Sequence, residues 1–468
     1  MKQTSVVDFS SYTSPFTWRY SSPEMRFLFS EEYKFKTWRQ LWVALAESQY
    51  KLGLISKQEF LDLKNNQDNL DIDRILEIEK ETKHDVVAAI KEFSEKATVG
   101  GGKIHLGATS MDINDNAETY RIKQALDLIE SKVKDILKLF SQKINEFIDV
   151  PCIGYTHLQP AEPTTIGYRF ALYAQDLLID FNFLQFVKKE LKTKGFKGAV
   201  GTAASYDELF NHKHSDTQKM EDLIMKSLGL EAFLITSQTS TRKIDYLLLC
   251  LLSSIASTLA KFSGDLRILQ SPNNGEWQEP FSSTQVGSSA MPFKKNPISS
   301  EKICSLARYI STLPQVALEN ATLSYLERTL DDSANRRIII SESFLALDEI
   351  LITAQKNISG LIINKTKVQQ NFDNFAPFAA TESIIIESVK KGANRQEMHE
   401  TLRQLSLTAW AEIQQGKSNP LKELIINNPE IKKYLSEIEI NSLFNLNSHL
   451  GTATIRSQKL VKLINQIL

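Results

Sequence analysis

A chain of 468 residues with 42% hydrophobic and 24% charged residues is long enough for a large core and too apolar for disorder. Its 55 basic and 56 acidic residues leave a formal charge of -1, without the basic surplus of a nucleic-acid binder, so no nucleic acid is expected as a partner. Three scattered cysteines, Cys152, Cys250 and Cys304, exclude a disulfide framework or a zinc cluster and fit a reducing, cytoplasmic compartment.

The first 22 residues hold no apolar run of the secretory kind, and Lys2 is their only positive charge before Arg19, so no export is expected. Ser22-Pro23 then reads as a helix N-cap with proline at the first helical position. Phe35, Trp38, Trp42, Leu45 and Leu52 line a second helix ended by Gly53. Further on, His84-Asp85 precedes the helical positions Val86, Val87, Ile90 and Phe93, with Asp85 as the expected cap. Gly100-Gly101-Gly102 lacks the flanking residues of a phosphate loop and reads as a turn. A domain boundary is placed after Ala108.

Beyond it the apolar spacing lengthens. Ile122, Leu126, Ile129, Val133, Ile136, Phe140, Ile144 and Phe147 form the seam of one very long helix. Similar seams cover 166–191, 244–269, 298–320 with Pro314 as a kink, and 333–358. The most apolar stretch, 246–260, is roughly 15 residues long and too short to span a bilayer, so no membrane is expected. After Gly360 the segments shorten around Gly392, Pro420, Asn428 and Pro429. The expected fold is all-α with three helical domains, 1–108, 109–360 and 361–468, the central one a bundle of long helices. Such helices present more apolar surface than one chain covers, which predicts a bundle shared between subunits of a homo-oligomer.

Three segments stand apart from this framework. Gly287-Ser288-Ser289-Ala290-Met291-Pro292-Phe293-Lys294-Lys295-Asn296-Pro297 has the composition of a mobile loop, feeding a helix whose expected cap is Asn296 and whose positive end would suit an anion. Composition alone leaves open an inert surface linker. His157, in Gly154-Tyr155-Thr156-His157-Leu158-Gln159-Pro160, lies on a loop and is of the residue type suited to donating a proton, although loop histidines are often inert. Arg336 and Arg337 fall in the first turn of a helix capped by Asp332 or Ser333, against the macrodipole, and call for a bound anion or an acidic partner. A surface salt bridge is the open alternative. His212-x-His214 has no evident partners, and no metal site is expected.

The 287–297 run resembles the signature of the fumarase/aspartase superfamily, close to Gly-Ser-Ser-x-Met-Pro-x-Lys-x-Asn-Pro, and matches every fixed position. That resemblance implies anti elimination of fumarate from a substituted succinate without a cofactor. It assigns the base to Ser288, stabilisation of the charged intermediate to Lys294 and a donor to Asn296. Thr156-His157-x-Gln159-Pro160 resembles the region supplying the general acid, which makes His157 that acid. Lys83, His84 and Asp85 match a segment that holds substrate phosphate and assists the acid, with Lys83 where arginine is common. Arg19-Tyr20 and the 327–337 run, with Arg328, Ser333 and Arg337, resemble the nucleotide-binding part of one branch. Thr109, Ser110 and Gln238 match further substrate contacts, and Lys302 replaces a common arginine, losing its bidentate fork. The resemblance spans Arg19 to Arg337 and implies a small-molecule purine nucleotide substrate and a tetramer with shared sites. A branch acting on a substrate without phosphate, and a non-catalytic helical protein of the same fold, are the alternatives.

Overall fold

Helices carry the fold, as the apolar periods predict, and the computed structural model describes residues 9–445 and 449–468. Lys2 and its neighbours lie outside the described residues. Helix α1 (Pro23–Leu28) starts where Ser22 accepts the Met25 N–H, with Pro23 at the first position. Helix α2 (Glu31–Lys51) buries Phe35, Trp38, Trp42 and Leu45, and Gly53 follows at φ +82°, the left-handed conformation glycine adopts most readily. At α3 (Asp85–Lys96) the cap differs from expectation. His84, not Asp85, is the capping residue, its Nδ1 accepting the Val87 N–H at 3.5 Å, while Asp85 sits one residue inside and accepts from Val86.

The five long seams become α4 (Ser110–Glu146), α5 (Ile166–Glu190), α6 (Lys243–Gln270), α7 (Ile298–Thr322) and α8 (Ser333–Ser359). Pro314 lies inside α7. Helix α6 extends well past the apolar stretch and by length and composition could cross a membrane, but Leu248, Leu252, Ile255, Leu259 and Phe262 are buried within the protein. Burial, not length, is what makes it a core helix.

Two small ribbons interrupt the helical pattern and were not expected. Strand β1 (Pro151–Thr156) pairs antiparallel with β2 (Gln159–Thr165), with an irregularity between Ile153 and Tyr155 around Gly154. Strand β3 (Trp277–Gln278) pairs with β4 (Ile362–Ile363). Prolines at 160 and 163 mask the first ribbon, since proline is usually a sign against a strand and is accepted here in a ribbon with open edges.

Packing groups the chain into two units, each made of three stretches, a division different from the three consecutive segments expected. The first comprises Met1–Lys132, Asp180–Ser257 and Ser305–Ile352. Within it, Trp38, Trp42, Phe93, Phe196 and Tyr206 are buried in one apolar cluster that also takes in Met220 and Ile224. The second comprises Val133–Ile179, Thr258–Cys304 and Thr353–Leu468. Its aromatic centre stacks Phe170 on Trp277 at 4.8 Å and sets Phe140 edge-on to Phe262 at 5.6 Å. A separate cluster, from Ala380 to Ile440, closes the short C-terminal helices on one another.

Candidate active site

In the first unit a cavity of 580 Å³ gathers residues from remote parts of the sequence. Lys83, His84, Asp85, Thr109, Ser110, Gln238, Arg328, Ser333 and Arg337 all line it. Local structure explains each placement. Lys83 ends a helix in the left-handed conformation, φ +55°, and His84 starts the next, so both stand at a corner where two helix ends meet. Thr109 and Ser110 open α4, with the Thr109 N–H held by Asp112 at 3.0 Å. Asp112 is wholly buried and also receives Lys194 and the Tyr206 hydroxyl, so the start of α4 is firmly tied.

The two arginines at the start of α8 part company. Arg336 is buried and consumed by acids: Asp245 takes Nε at 2.7 Å and a second nitrogen at 3.1 Å, and Glu118 lies at 2.6 Å. For this residue an acidic partner answers the macrodipole cost. Arg337 keeps a largely exposed side chain and makes one longer contact, 3.3 Å, with Asp85. Asp332 occupies the cap position, its carbonyl accepting the Arg336 N–H, but its carboxylate faces Arg242 at 2.6 Å and Arg328 at 3.1 Å. Burial alone would raise the Asp115 carboxyl; Arg242 and Arg336 beside it hold it below the usual carboxylate range. Burial pushes Glu118 up, with Arg336 opposing.

This buried lattice was not legible as such. Its one sequence signal is a row of acids on α4, Asp112, Asp115 and Glu118, spaced three apart and so on one helix face. Arg19 and Tyr20 lie outside the cavity. Ser21 and Ser22 bond Asp348 and Glu349 on α8, at 3.0, 2.7 and 2.9 Å, which places this segment roughly 17 Å along that helix from Arg337.

The second unit carries the remaining groups. Thr156 pairs with Gln159, leaving His157 and Leu158 as a two-residue hairpin turn with φ +54° and +60°. Both angles are those of a type I′ turn, which usually selects Asn and Gly, and both side chains are exposed. His157 thus stands at the tip of a ribbon, and with Tyr155, Tyr168, Arg169 and Lys261 it lines a cavity of 740 Å³.

The 287–297 loop is tied at its base. Asn296 is turned from its expected cap role: its amide donates to the Gly287 carbonyl at 2.9 Å. The start of α7 is instead occupied by the buried Glu279 carboxylate, which accepts the N–H groups of Ser299 at 3.2 Å and Ser300 at 2.6 Å. An anion does sit at that positive helix end, and it belongs to the protein. Ser288 Oγ accepts the N–H groups of Ala290 at 3.3 Å and Met291 at 3.1 Å. Lys294 is exposed on the same loop, and Lys302 lies on α7. One histidine pair also departs from expectation: His212 and His214 do have a partner, Asp207, whose carboxylate meets their ring nitrogens at 3.0 and 2.7 Å. No cluster of three or more potential metal ligands occurs among the described residues.

Comparison with known proteins places these features. A family described as Lyase matches residues 19–311, and one described as Adenylosuccinate lyase C-terminus matches residues 377–459. The adenylosuccinate lyase of Schistosoma mansoni is 39% identical over 90% of this chain and 88% of its own. That of Schizosaccharomyces pombe is 38% identical over 97% of this chain and 95% of its own. Among solved structures, a fumarate lyase from Mesorhizobium sp. BNC1 superposes with a TM-score of 0.83 at 22% identity, covering 97% of this chain and 99% of that one. The 3-carboxy-cis,cis-muconate lactonizing enzyme of Pseudomonas putida gives 0.85 at 23%, covering 96% and 98%. These two likenesses establish the helical fold.

Proposed function

The chain belongs to the adenylosuccinate lyase family, within the fumarase/aspartase superfamily, and on that premise we propose that it cleaves adenylosuccinate to AMP and fumarate. The same elimination on the related succinylated carboxamide ribotide, SAICAR giving AICAR, belongs to this proposal, which places the enzyme in purine nucleotide biosynthesis. Argininosuccinate cleavage and a purely structural role are not favoured by these relatives.

The observation that carries the chemistry is the environment of Ser288. A serine hydroxyl is a weak base, and two backbone N–H groups aimed at its oxygen stabilise the ionised form. The α7 terminus does not contribute to this, because Glu279 already occupies it. Ser288 removes the proton beside the substrate carboxylate, and Lys294, with Asn296 near it, offsets the charge that accumulates there. His157 delivers a proton to the departing purine nitrogen. In the first-unit cavity, Arg337 and Lys83 supply cationic groups for phosphate or carboxylate, with Thr109, Ser110, Gln238 and Ser333 as polar contacts. His84 assists the acid, and Lys302 and Arg328 complete the proposed cationic set.

The protein is proposed to act as a cytoplasmic homotetramer whose sites draw on several subunits. Exposed Leu172, Ile179 and Phe186 recur every seven residues on α5 and support a helix-to-helix contact between copies. Arg19 and Tyr20, remote from the cavity of their own unit, fit such sharing.

Release of fumarate from adenylosuccinate, followed by absorbance, tests the proposal. His157→Ala and Ser288→Ala are each expected to lower kcat by about 10²- to 10⁴-fold. No fumarate from the parent enzyme overturns the reaction; full activity in either variant overturns that residue's role.

A further inference from the structure

A two-stranded ribbon is marginal on its own, and β1–β2 carries an irregularity at Gly154 and prolines at 160 and 163. Its tip holds two residues other than glycine at positive φ, a conformation costing on the order of 1 kcal/mol each. Such a tip keeps one geometry only where its surroundings over-determine it. The surroundings that do so are polar and buried.

Arg169, near the start of α5, donates one nitrogen to the Ile153 carbonyl on β1 and another to Glu276 at 3.0 Å. Glu276 is fully buried, and its carboxylate also accepts the Tyr155 hydroxyl at 3.3 Å and the Asn371 amide at 3.0 Å. The Arg169 guanidinium lies 5.9 Å from the rings of both Tyr155 and Trp277. The ribbon is therefore fixed at Ile153 through Arg169 and at Tyr155 through Glu276, four and two residues before His157. Burial, with Glu276 adjacent, raises the Tyr155 hydroxyl far above its ordinary range, so it remains a donor at any working pH. A buried ion pair is weak support for stability relative to an apolar replacement, and its better-attested use is to specify one arrangement.

We propose that the Arg169–Glu276 pair, joined to the ribbon through Tyr155, is the positioning device that sets the height and direction of His157. The inference rests on the reading of His157 as general acid. Arg169, Glu276 and Tyr155 are positioning residues, acting through the histidine.

Their action through His157 makes their effect conditional on it. Tyr155→Phe removes one hydrogen bond and keeps the ring, so the fold is retained. kcat and KM for fumarate release are measured for the parent, Tyr155→Phe, His157→Ala and the double variant. Tyr155→Phe is expected to lower kcat about tenfold with KM changed less than about threefold. In the His157→Ala background the same change is expected to lower kcat less than about twofold, because the group being positioned is gone. Ser436→Ala, which removes a helix cap in the C-terminal cluster, serves as the stability control and is expected to leave kcat unchanged. Equal losses from Tyr155→Phe in both backgrounds, or no loss in the parent background, overturn the positioning role. A His157→Ala enzyme with parental kcat would instead overturn the acid assignment, and an inactive parent the proposed reaction. The three failures are thus distinguishable.

Discussion

His105 shows how one side chain couples the fold to pH. Its ring is partly buried in the first unit, where Nδ1 accepts the Trp42 indole N–H at 3.0 Å, and desolvation lowers its pKa from 6.5 to about 4. The unfolded chain therefore binds a proton that the folded one refuses between these values. Stability is expected to be full above about pH 6.5 and to fall by on the order of 3 kcal/mol as the pH drops toward 4. Thermal unfolding across that range should show a smaller fall for His105→Asn, since asparagine tolerates the positive φ at this site and carries no titrating group. At the start of α8 two adjacent arginines should separate cleanly. Arg336→Ala leaves Asp245 and Glu118 without their buried partner and is expected to cost about 3–5 kcal/mol of stability. Arg337→Ala is expected to leave the melting temperature within a degree or two but raise KM about tenfold, if its exposed guanidinium holds an anionic substrate group. Equal effects of the two substitutions on melting temperature would refute this division.

At the scale of elements, what periodicity encodes was legible and what depends on remote partners was not. The five long seams gave helices whose ends fall within a residue or two of expectation for four of them, because apolar spacing is a local property. The fifth, α4, starts a dozen residues earlier than its seam, since Asp112, Asp115 and Asn116 occupy buried positions where apolar residues would be sought. The β1–β2 ribbon was missed for a related reason: its prolines argue locally against a strand, while its anchors, Arg169 and Glu276, lie outside it in sequence. The 287–297 loop was recognisable by motif, yet its closure was not. A Cβ on Gly287 would run into the Lys294 carbonyl oxygen, so the loop can close on itself only with glycine there. Gly287→Ala is expected to lower kcat about 10²-fold while the melting temperature stays near the parent value, because the loop is largely exposed. Parental kcat in this variant would show that the closure has no part in the reaction.

For the molecule as a whole, the proposed tetramer makes two linked predictions. Ile179→Glu with Phe186→Glu places charge in the exposed heptad stripe of α5 and is expected to yield smaller species in sedimentation, with loss of fumarate release. Mixing the inactive His157→Ala and Ser288→Ala proteins under conditions that exchange subunits should restore part of the activity, since some sites would then contain both intact groups. No recovery after demonstrated exchange would confine each site to one chain. The discontinuous make-up of the two units has its own consequence, one for synthesis. The first unit lacks its third stretch until residue 352 has been made, and the second until residue 468. The apolar cluster around Trp38 and Trp42 can close once Leu230 has been made, but the unit to which it belongs waits for residue 352. A premature stop anywhere before residue 352 therefore leaves no finished unit behind, and such fragments are candidates for chaperone capture and degradation, not for partial function.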